Sequence, residues 1–142
     1  MVAKGTQRVI PFQRPEVARA FAALPAGPRS RLLQLRSLIF ITAAKTPEVG
    51  PIEEALRWGE PSYLTSESKS GTTIRIHWKP RRPDRCAMYV HCQTKLVAQY
   101  RFRHGDTLEF EGNRAVLVAV DKPLPESALR DCIQLALTYR QR

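Results

Sequence analysis

The stretch TTIRIHWKPRRPDRCAMYVHC (residues 72–92) decides the fold, because it holds two strand patterns joined by a loop that can extend neither of them. Apolar and polar residues alternate in residues 72–78 and again in residues 86–92, which is the period of a half-buried strand. The prolines of KPRRPDR (79–85) lack the amide hydrogen that a strand ladder needs. Folding the stretch about Arg82 makes every inward pair apolar, and a slip of one residue would spoil the pattern, so the register is predicted. The inward pairs are Trp78 with Cys86, Ile76 with Met88 and Ile74 with Val90, with Cys92 on the same face.

The chain on both sides of this hairpin predicts helices, and a second hairpin follows it. The predicted helices are EVARAFAAL (16–24), a longer segment at 30–44, IEEALRW (52–58), TKLVAQYRFR (94–103) and a terminal helix that begins at Pro125 and Glu126. The prolines and the glycine in residues 25–28 are expected to separate the first two helices, and Gly59 is expected to end the third. The segment TLEFEGNRAVLVAV (107–120) predicts the second hairpin, with its turn at Gly112 and Asn113.

Helices, an antiparallel sheet and a closing helix predict an α+β fold with two layers, in which helices pack on an antiparallel sheet. In the segment at 30–44, leucine and isoleucine recur at helical spacing, so Arg29, Arg31 and Arg36 are expected to face away from the core. The length of 142 residues predicts one domain over residues 1–142, with residues 1–15 as a loosely ordered N-terminal arm.

The composition is that of an ordinary globular protein, with 43% hydrophobic and 25% charged residues. The longest apolar run, LLQLRSLIFITAA, is shorter than the roughly 20 residues that a bilayer span needs, so no membrane association is predicted. No apolar segment follows the basic N-terminus, so a secretory signal is not expected. Three cysteines, Cys86, Cys92 and Cys132, are too few for a disulfide framework and predict small buried thiols in a reducing, cytoplasmic compartment.

The net charge of +10 is distributed unevenly along the chain. Its excess lies mainly in residues 1–50, which carry eight basic and two acidic residues. A basic surface favours polyanion binding, but it also keeps a protein soluble, and charge alone leaves both interpretations open. The candidate polyanion-binding residues are Lys79, Arg81, Arg82, Arg85, Arg101 and Arg103.

The nonamer RWGEPSYLT (57–65) has two interpretations. Glu60 precedes a proline and Gly59 permits a sharp reversal, so the segment is typical of a turn that leads into an edge strand. Alternatively, Trp58, Glu60 and Tyr63 line a ligand pocket in which the carboxylate is the polar anchor, as in many small-molecule sites.

The outward face of the first hairpin is the second candidate site. The predicted register places Arg75 opposite Tyr89, which suits a cation–π contact. A metal site is not predicted, because His91 and Cys92 are neighbours on a strand and point to opposite faces. His91 also pairs with a position about 13 Å from His77. The complete set of pocket candidates is Trp58, Glu60, Tyr63, Arg75, Tyr89 and His91.

No catalytic set emerges from the sequence. The chain contains no GxSxG, and KSGTT does not have the spacing of a phosphate-binding loop. These observations favour a binding domain without catalytic activity and without a cofactor. Its ligand is expected to be a small molecule or a protein partner held between the helices and the sheet. Nucleic-acid binding through the loop at residues 79–85 is the alternative, and the oligomeric state is open.

Several blocks, taken in order, resemble the DUF1801 family, also called YdhG-like. They are EALRWGEPSYLT, GTTIRIHW, AMYVHCQT, FEGNRAV and PLPESALRDCIQLALTYR, and the resemblance runs from about Phe21 to Arg140. It implies a small α+β domain in a largely uncharacterised family.

One branch of that family is described as a frataxin-like iron chaperone, which makes iron handling a distant alternative. Such a role implies clustered carboxylates, because hard oxygen ligands suit iron. The nearest candidates are Glu53, Glu54 and Glu60, but Arg57 lies among them and the chain is strongly cationic.

Overall fold

A computed structural model describes residues 10–141, which form four helices and six strands. The helices are α1 (Pro15–Ala22), α2 (Ala26–Ala44), α3 (Leu96–His104) and α4 (Glu126–Leu137). The strands are β1 (Glu53–Arg57), β2 (Glu60–Leu64), β3 (Ile74–Trp78), β4 (Arg85–Tyr89), β5 (Glu109–Glu111) and β6 (Ala115–Ala119). Short 3-10 turns cover Pro47–Val49 and Tyr139–Gln141. The strands form one antiparallel sheet in the order β1-β2-β3-β4-β6-β5.

The helices cover one face of this sheet, so the predicted two-layer α+β fold is confirmed. Helices α2 and α4 pack on each other and on β3, and α1 packs on β1 and β2. The core is formed where side chains of the two central helices meet the inward residues of the central strands. Fully buried members include Leu35, Ile39, Leu129, Ile133, Ile74, Ile76 and Met88.

The predicted register of the first hairpin is confirmed. Trp78 pairs with Cys86 and Ile76 with Met88, and the adjacent outward pair is Arg75 with Tyr89. The prediction that Cys92 shares the inward face is wrong, because the chain leaves the sheet after Tyr89 and the thiol is exposed.

The prediction of a helix at residues 52–58 is wrong. This segment contains β1, which pairs with β2 along its whole length. Its inward residues are Ile52, Glu54 and Leu56, so the period is two. The middle inward residue is the completely buried Glu54, and because it is charged the alternation of apolar and polar residues is not visible in the sequence. Gly59 ends no helix and instead lies in the turn between the two strands.

Helix α2 begins four residues earlier than predicted. Gly27 and Pro28 lie in its first turn, where a proline has no intrahelical hydrogen bond to lose. The expectation that Arg31 and Arg36 face away from the core is also wrong, because both side chains are buried. Arg31 donates to the backbone oxygen of Val120 and to that of Lys122.

A buried ion pair between Arg36 and Glu54 joins α2 to β1. The arginine Nε lies 2.5 Å from one carboxylate oxygen, and one of its terminal nitrogens lies 3.0 Å from the other. Tyr63 of β2 donates to the same carboxylate at 2.9 Å. Burial, together with the negative charge of Glu54, raises the pKa of Tyr63, so its hydroxyl remains a neutral donor.

The same arginine also holds the segment before α1. It donates to the backbone oxygens of Ile10 and Pro11 at 2.6 and 3.0 Å, and Phe12 contacts its guanidinium. Gln13 exchanges hydrogen bonds with Glu54 along the outer edge of β1. Most of the predicted N-terminal arm, residues 1–9, lies outside the described residues.

Replacing Glu54 by glutamine is expected to destabilise the fold strongly. The change leaves the Arg36 charge buried without a carboxylate, and removing one partner of a buried pair costs about 3–5 kcal/mol. Urea denaturation of the full chain measures the loss. The control is Glu53→Gln in the neighbouring, partly exposed pair with Arg14, for which a much smaller loss is expected. Equal losses in the two variants would contradict this account of the core.

Candidate functional site

The helices leave the other face of the sheet uncovered, and we call it the open face. Its centre is a small apolar cluster of outward side chains from β4 and β6. The members are Ala87, Tyr89, Ala115 and Leu117, all at most 6% exposed. Because none of the four described helices covers this cluster, long charged side chains from neighbouring strands and turns shield it.

Three cations surround the ring of Tyr89. The Arg75 guanidinium lies 5.2 Å from the ring centroid, that of Arg114 lies 5.6 Å away, and the Lys79 ammonium lies 5.9 Å away. These distances are in the range of cation–π contacts, so the contact predicted between Arg75 and Tyr89 is confirmed. The ring thus contacts cations from two separate parts of the chain, residues 75–79 and the turn before β6.

The turn between β1 and β2 presents Trp58 to solvent. Trp58 and Gly59 have φ angles of 53° and 75°, and the two-residue turn is closed by the pair Arg57 and Glu60. Positive φ at both positions is typical of a tight hairpin turn, but a bulky residue rarely adopts it. The indole is 86% exposed and contacts the Arg75 guanidinium at 5.3 Å.

Glu60 forms an ion pair with Arg75 on the open face. The predicted polar anchor of the pocket is therefore bound to another predicted site residue. His77 lies on the same face, and burial lowers its pKa; Lys79 and Arg75 act in the same direction, while Glu60 opposes them. His77 is therefore favoured in its neutral form near neutral pH.

A cavity of about 500 Å³ lies beside Trp58 on the open face, and we call it the arginine pocket. Its lining contains four arginines and, among residues 10–141, no carboxylate. The lining residues are Arg57, Trp58, Gly71, Thr72, Thr73, Arg75, Val90, His91, Cys92, Arg114 and Arg140. Within residues 10–141, Arg57 and Arg140 have no carboxylate at ion-pair distance, while Arg114 lies 3.8 Å from Glu111.

Three of the predicted pocket residues, Trp58, Arg75 and His91, line this cavity. Glu60 and Tyr89 contact its wall through Arg75. Tyr63 does not belong to the group, because it is fully buried on the helix-covered face. The sequence placed the ligand between the helices and the sheet. The cavity combines open-face residues such as Trp58 and Arg75 with Arg140, which follows α4.

Sequence reasoning missed Arg57, Arg114 and Arg140 as site residues. Arg57 belongs to the segment that was predicted as a helix. Arg140 reaches the pocket from the opposite end of the chain, where its amide donates to the Ser70 oxygen at 2.8 Å. A side chain at Gly71 would lie 2.4 Å from the Leu137 backbone, so only glycine permits this approach. No local sequence pattern predicts this contact between the segment at Gly71 and the end of α4.

The basic loop, residues 79–85, borders a second cavity of about 60 Å³ on the same face. Two of its cations are paired, since Arg85 lies 2.8 Å from Glu109 and Arg82 lies 4.0 Å from Glu111. Lys79 and Arg81 have no carboxylate at ion-pair distance among the described residues.

Arg101 and Arg103, which were also predicted to bind polyanions, lie on α3 and line neither cavity. Arg101 contacts the ring of Phe110, and Arg103 pairs with Asp131 at 3.1 Å.

Each carboxylate considered for iron is bound to an arginine. Glu53 pairs with Arg14, Glu54 with Arg36, and Glu60 with Arg75. In the part of the chain that the structure describes, no three histidine, cysteine, aspartate or glutamate side chains are grouped to hold a metal ion.

We expect thiol reagents to distinguish the three cysteines. Cys92 is exposed, whereas burial raises the pKa of Cys86 and of Cys132 to about 12 and keeps these thiols protonated. Titration with a disulfide reagent should therefore modify one thiol rapidly in the folded protein and all three in denaturant. Rapid reaction of two or three thiols in the folded protein would contradict the burial of Cys86 and Cys132.

No protein-family profile matches the chain, and no curated protein matches it in sequence. Its fold is similar to the crystal structure of YdhG from Bacillus subtilis, a protein of the DUF1801 family. The TM-score is 0.57 and the identity 12%, with 83% of this chain and 85% of the other covered. The YdhG-like fold implied by the sequence motifs is thus confirmed. Among the helices of residues 10–141, none combines the length and apolarity needed to cross a membrane.

Proposed function

We propose that this protein is a non-catalytic binding domain whose arginine pocket holds a small organic anion, a carboxylate or a phosphate. The observation that carries the proposal is the lining of this cavity of about 500 Å³, which the described residues form with four arginines and no carboxylate. That volume lies within the usual range for small-molecule sites. Because guanidinium groups repel one another when they converge, an anion bound among them removes an unfavourable interaction.

The arginines differ in how free they are to bind. Arg57 and Arg140 have no carboxylate partner within residues 10–141, so they are the primary contacts. Arg75 remains paired with Glu60; it adds positive charge to the lining and helps to position the ligand. The planar fork of arginine matches carboxylate and phosphate oxygens with two parallel hydrogen bonds. Thr72 and Thr73 add hydroxyl donors to the lining.

Trp58 supports a ligand that also has a flat apolar part. A left-handed backbone is unfavourable by about 1–2 kcal/mol for a residue with a side chain, and such strain is concentrated at functional sites. A turn that needs only positive φ is better served by asparagine or glycine. The exposed indole therefore has a role in binding, as a wall on which a ring of the ligand stacks.

Arginine chemistry favours binding over catalysis. Guanidinium groups stay protonated at neutral pH and transfer no protons. The other titratable groups in the lining are His91 and Cys92, and His91 already accepts a hydrogen bond from the Gln93 amide at 3.1 Å.

Free thiols at Cys86, Cys92 and Cys132 fit a reducing compartment, which supports a cytoplasmic location.

The two alternatives have less support. Polyanion binding through the basic loop alone relies on Lys79 and Arg81, since the other two cations of the loop have carboxylate partners. An iron chaperone needs carboxylates that are free to bind the ion, and the three candidates are occupied by arginines.

Removal of an unpaired arginine should weaken anion binding. Calorimetric titration of the full chain with adenosine monophosphate, citrate and pyrophosphate identifies the anion class that binds. For that anion, Arg140→Gln is expected to lower affinity about tenfold or more, because a charge-assisted hydrogen bond is lost. The control is Arg101→Gln, which replaces an exposed arginine outside the pocket and should leave the affinity unchanged. If none of the three anions binds, or if both variants lose affinity equally, the proposal is wrong.

Trp58→Asn separates a binding role from a structural one. Asparagine tolerates the left-handed turn, so the melting temperature should stay equal or rise, whereas affinity for an aromatic anion should fall severalfold. A marked drop in melting temperature with unchanged affinity would show that Trp58 serves the fold.

A further inference from the structure

The two open-face cavities meet at Tyr89. This residue lines the cavity of the basic loop, and its ring contacts Arg75 and Arg114 from the lining of the arginine pocket. Lys79 lines the loop cavity and contacts the same ring. One continuous cationic surface therefore joins the two cavities across the ring, and we call it the basic tract.

The basic tract is longer and more charged than a small anion requires. Thr73 at one end and Lys79 at the other are six positions apart on an extended segment, or about 20 Å. The tract contains eight cations, Arg57, Arg75, Lys79, Arg81, Arg82, Arg85, Arg114 and Arg140. Four carboxylates lie among them, those of Glu60, Asp84, Glu109 and Glu111. The excess of positive charge favours a ligand with several anionic groups in a row.

We propose that single-stranded nucleic acid binds along the basic tract. Its phosphates contact the arginine pocket at one end and Lys79 with Arg81 at the other, and a base stacks on Trp58. This inference rests on the proposed function, because a phosphate of the strand occupies the anion site of the arginine pocket. It extends that site from one phosphate to a run of about four or more nucleotides, the lower end of the range for proteins that bind single strands on a sheet.

Two features favour a single strand over other polyanions. Trp58 presents an 86% exposed ring at the edge of the tract, and stacking on an aromatic side chain requires a base that is free of a duplex. Polyphosphate and acidic peptides match the charge but gain nothing from that ring. In a duplex the bases are stacked and paired, so none is free to stack on Trp58.

The salt response and one pair of substitutions test the tract. Fluorescence anisotropy of the full chain with a labelled oligothymidylate of about twelve nucleotides gives the affinity at several salt concentrations. For three to four phosphate contacts, the slope of log K against log salt should be about −2 to −3. The double variant Lys79→Gln/Arg81→Gln should weaken oligothymidylate binding about tenfold at low salt. It should leave the affinity for adenosine monophosphate or pyrophosphate in the arginine pocket unchanged.

Two further variants test which part of the basic tract contacts each ligand. Arg140→Gln should weaken both the oligonucleotide and the small anion, whereas Trp58→Asn should weaken the oligonucleotide but not inorganic polyphosphate. Arg130→Gln, an exposed arginine on α4 outside the tract, is the control and should change none of these affinities.

The outcomes distinguish this inference from the function on which it rests. If small anions bind and the oligonucleotide does not, the inference of nucleic-acid binding along the basic tract is wrong, and the proposal of an anion site in the arginine pocket is retained. If neither binds, both are wrong. The tract is also overturned if the double variant binds the oligonucleotide as well as the wild type does. It fails equally if duplex DNA or polyphosphate binds as tightly as the single strand.

Discussion

The structure depends on the buried pair of Arg36 and Glu54. This one contact joins α2, β1 and β2, and it also holds the backbone at Ile10 and Pro11. Removing both charges from water is costly, and the cost is offset only because nearly every donor and acceptor of the pair has a partner. The strand β1 is anchored to the helical layer at this point, and the turn that follows it carries Trp58. The geometry of the candidate site is therefore set from the opposite side of the sheet.

The two faces of the sheet solve the problem of burial differently. The inward face packs against helices, whereas the open face shields its few apolar side chains with arginine and lysine stems. The charged ends of Arg75, Lys79 and Arg114 lie over the ring of Tyr89. The side chains that shield the open face are thus also the ones through which the proposed anion site would act.

The parts of the fold that sequence alone predicts are those in which apolar periodicity is uninterrupted. In the first hairpin, Ile76 with Met88 and Trp78 with Cys86 leave a single register, which also places Arg75 beside Tyr89. Periodicity fails at β1 because Glu54, a charged residue, takes an inward position that only a distant arginine makes tolerable. An arginine at position 36 within a helical pattern is normally read as an outward residue, so neither partner reveals the other.

The candidate site is only partly predictable for a similar reason. Trp58, Arg75 and His91 are local to strands and turns that the sequence indicates, whereas Tyr63 is grouped with Trp58 and Glu60 in the sequence but lies apart from them, buried against Glu54. Arg140 joins the pocket through the close approach of Gly71 to the end of α4. Such long-range backbone contacts depend on the packed tertiary structure, and they leave no periodic signal in the chain.

The exposure of Trp58 gives the two tryptophans of the protein different fluorescence. The chain has two tryptophans, and the other, Trp78, is partly buried and donates to the Pro83 oxygen at 3.0 Å. One indole therefore emits as it would in water, and the other as it does within a protein. The long-wavelength part of the intrinsic emission therefore comes from Trp58 at the edge of the arginine pocket, where collisional quenchers have access.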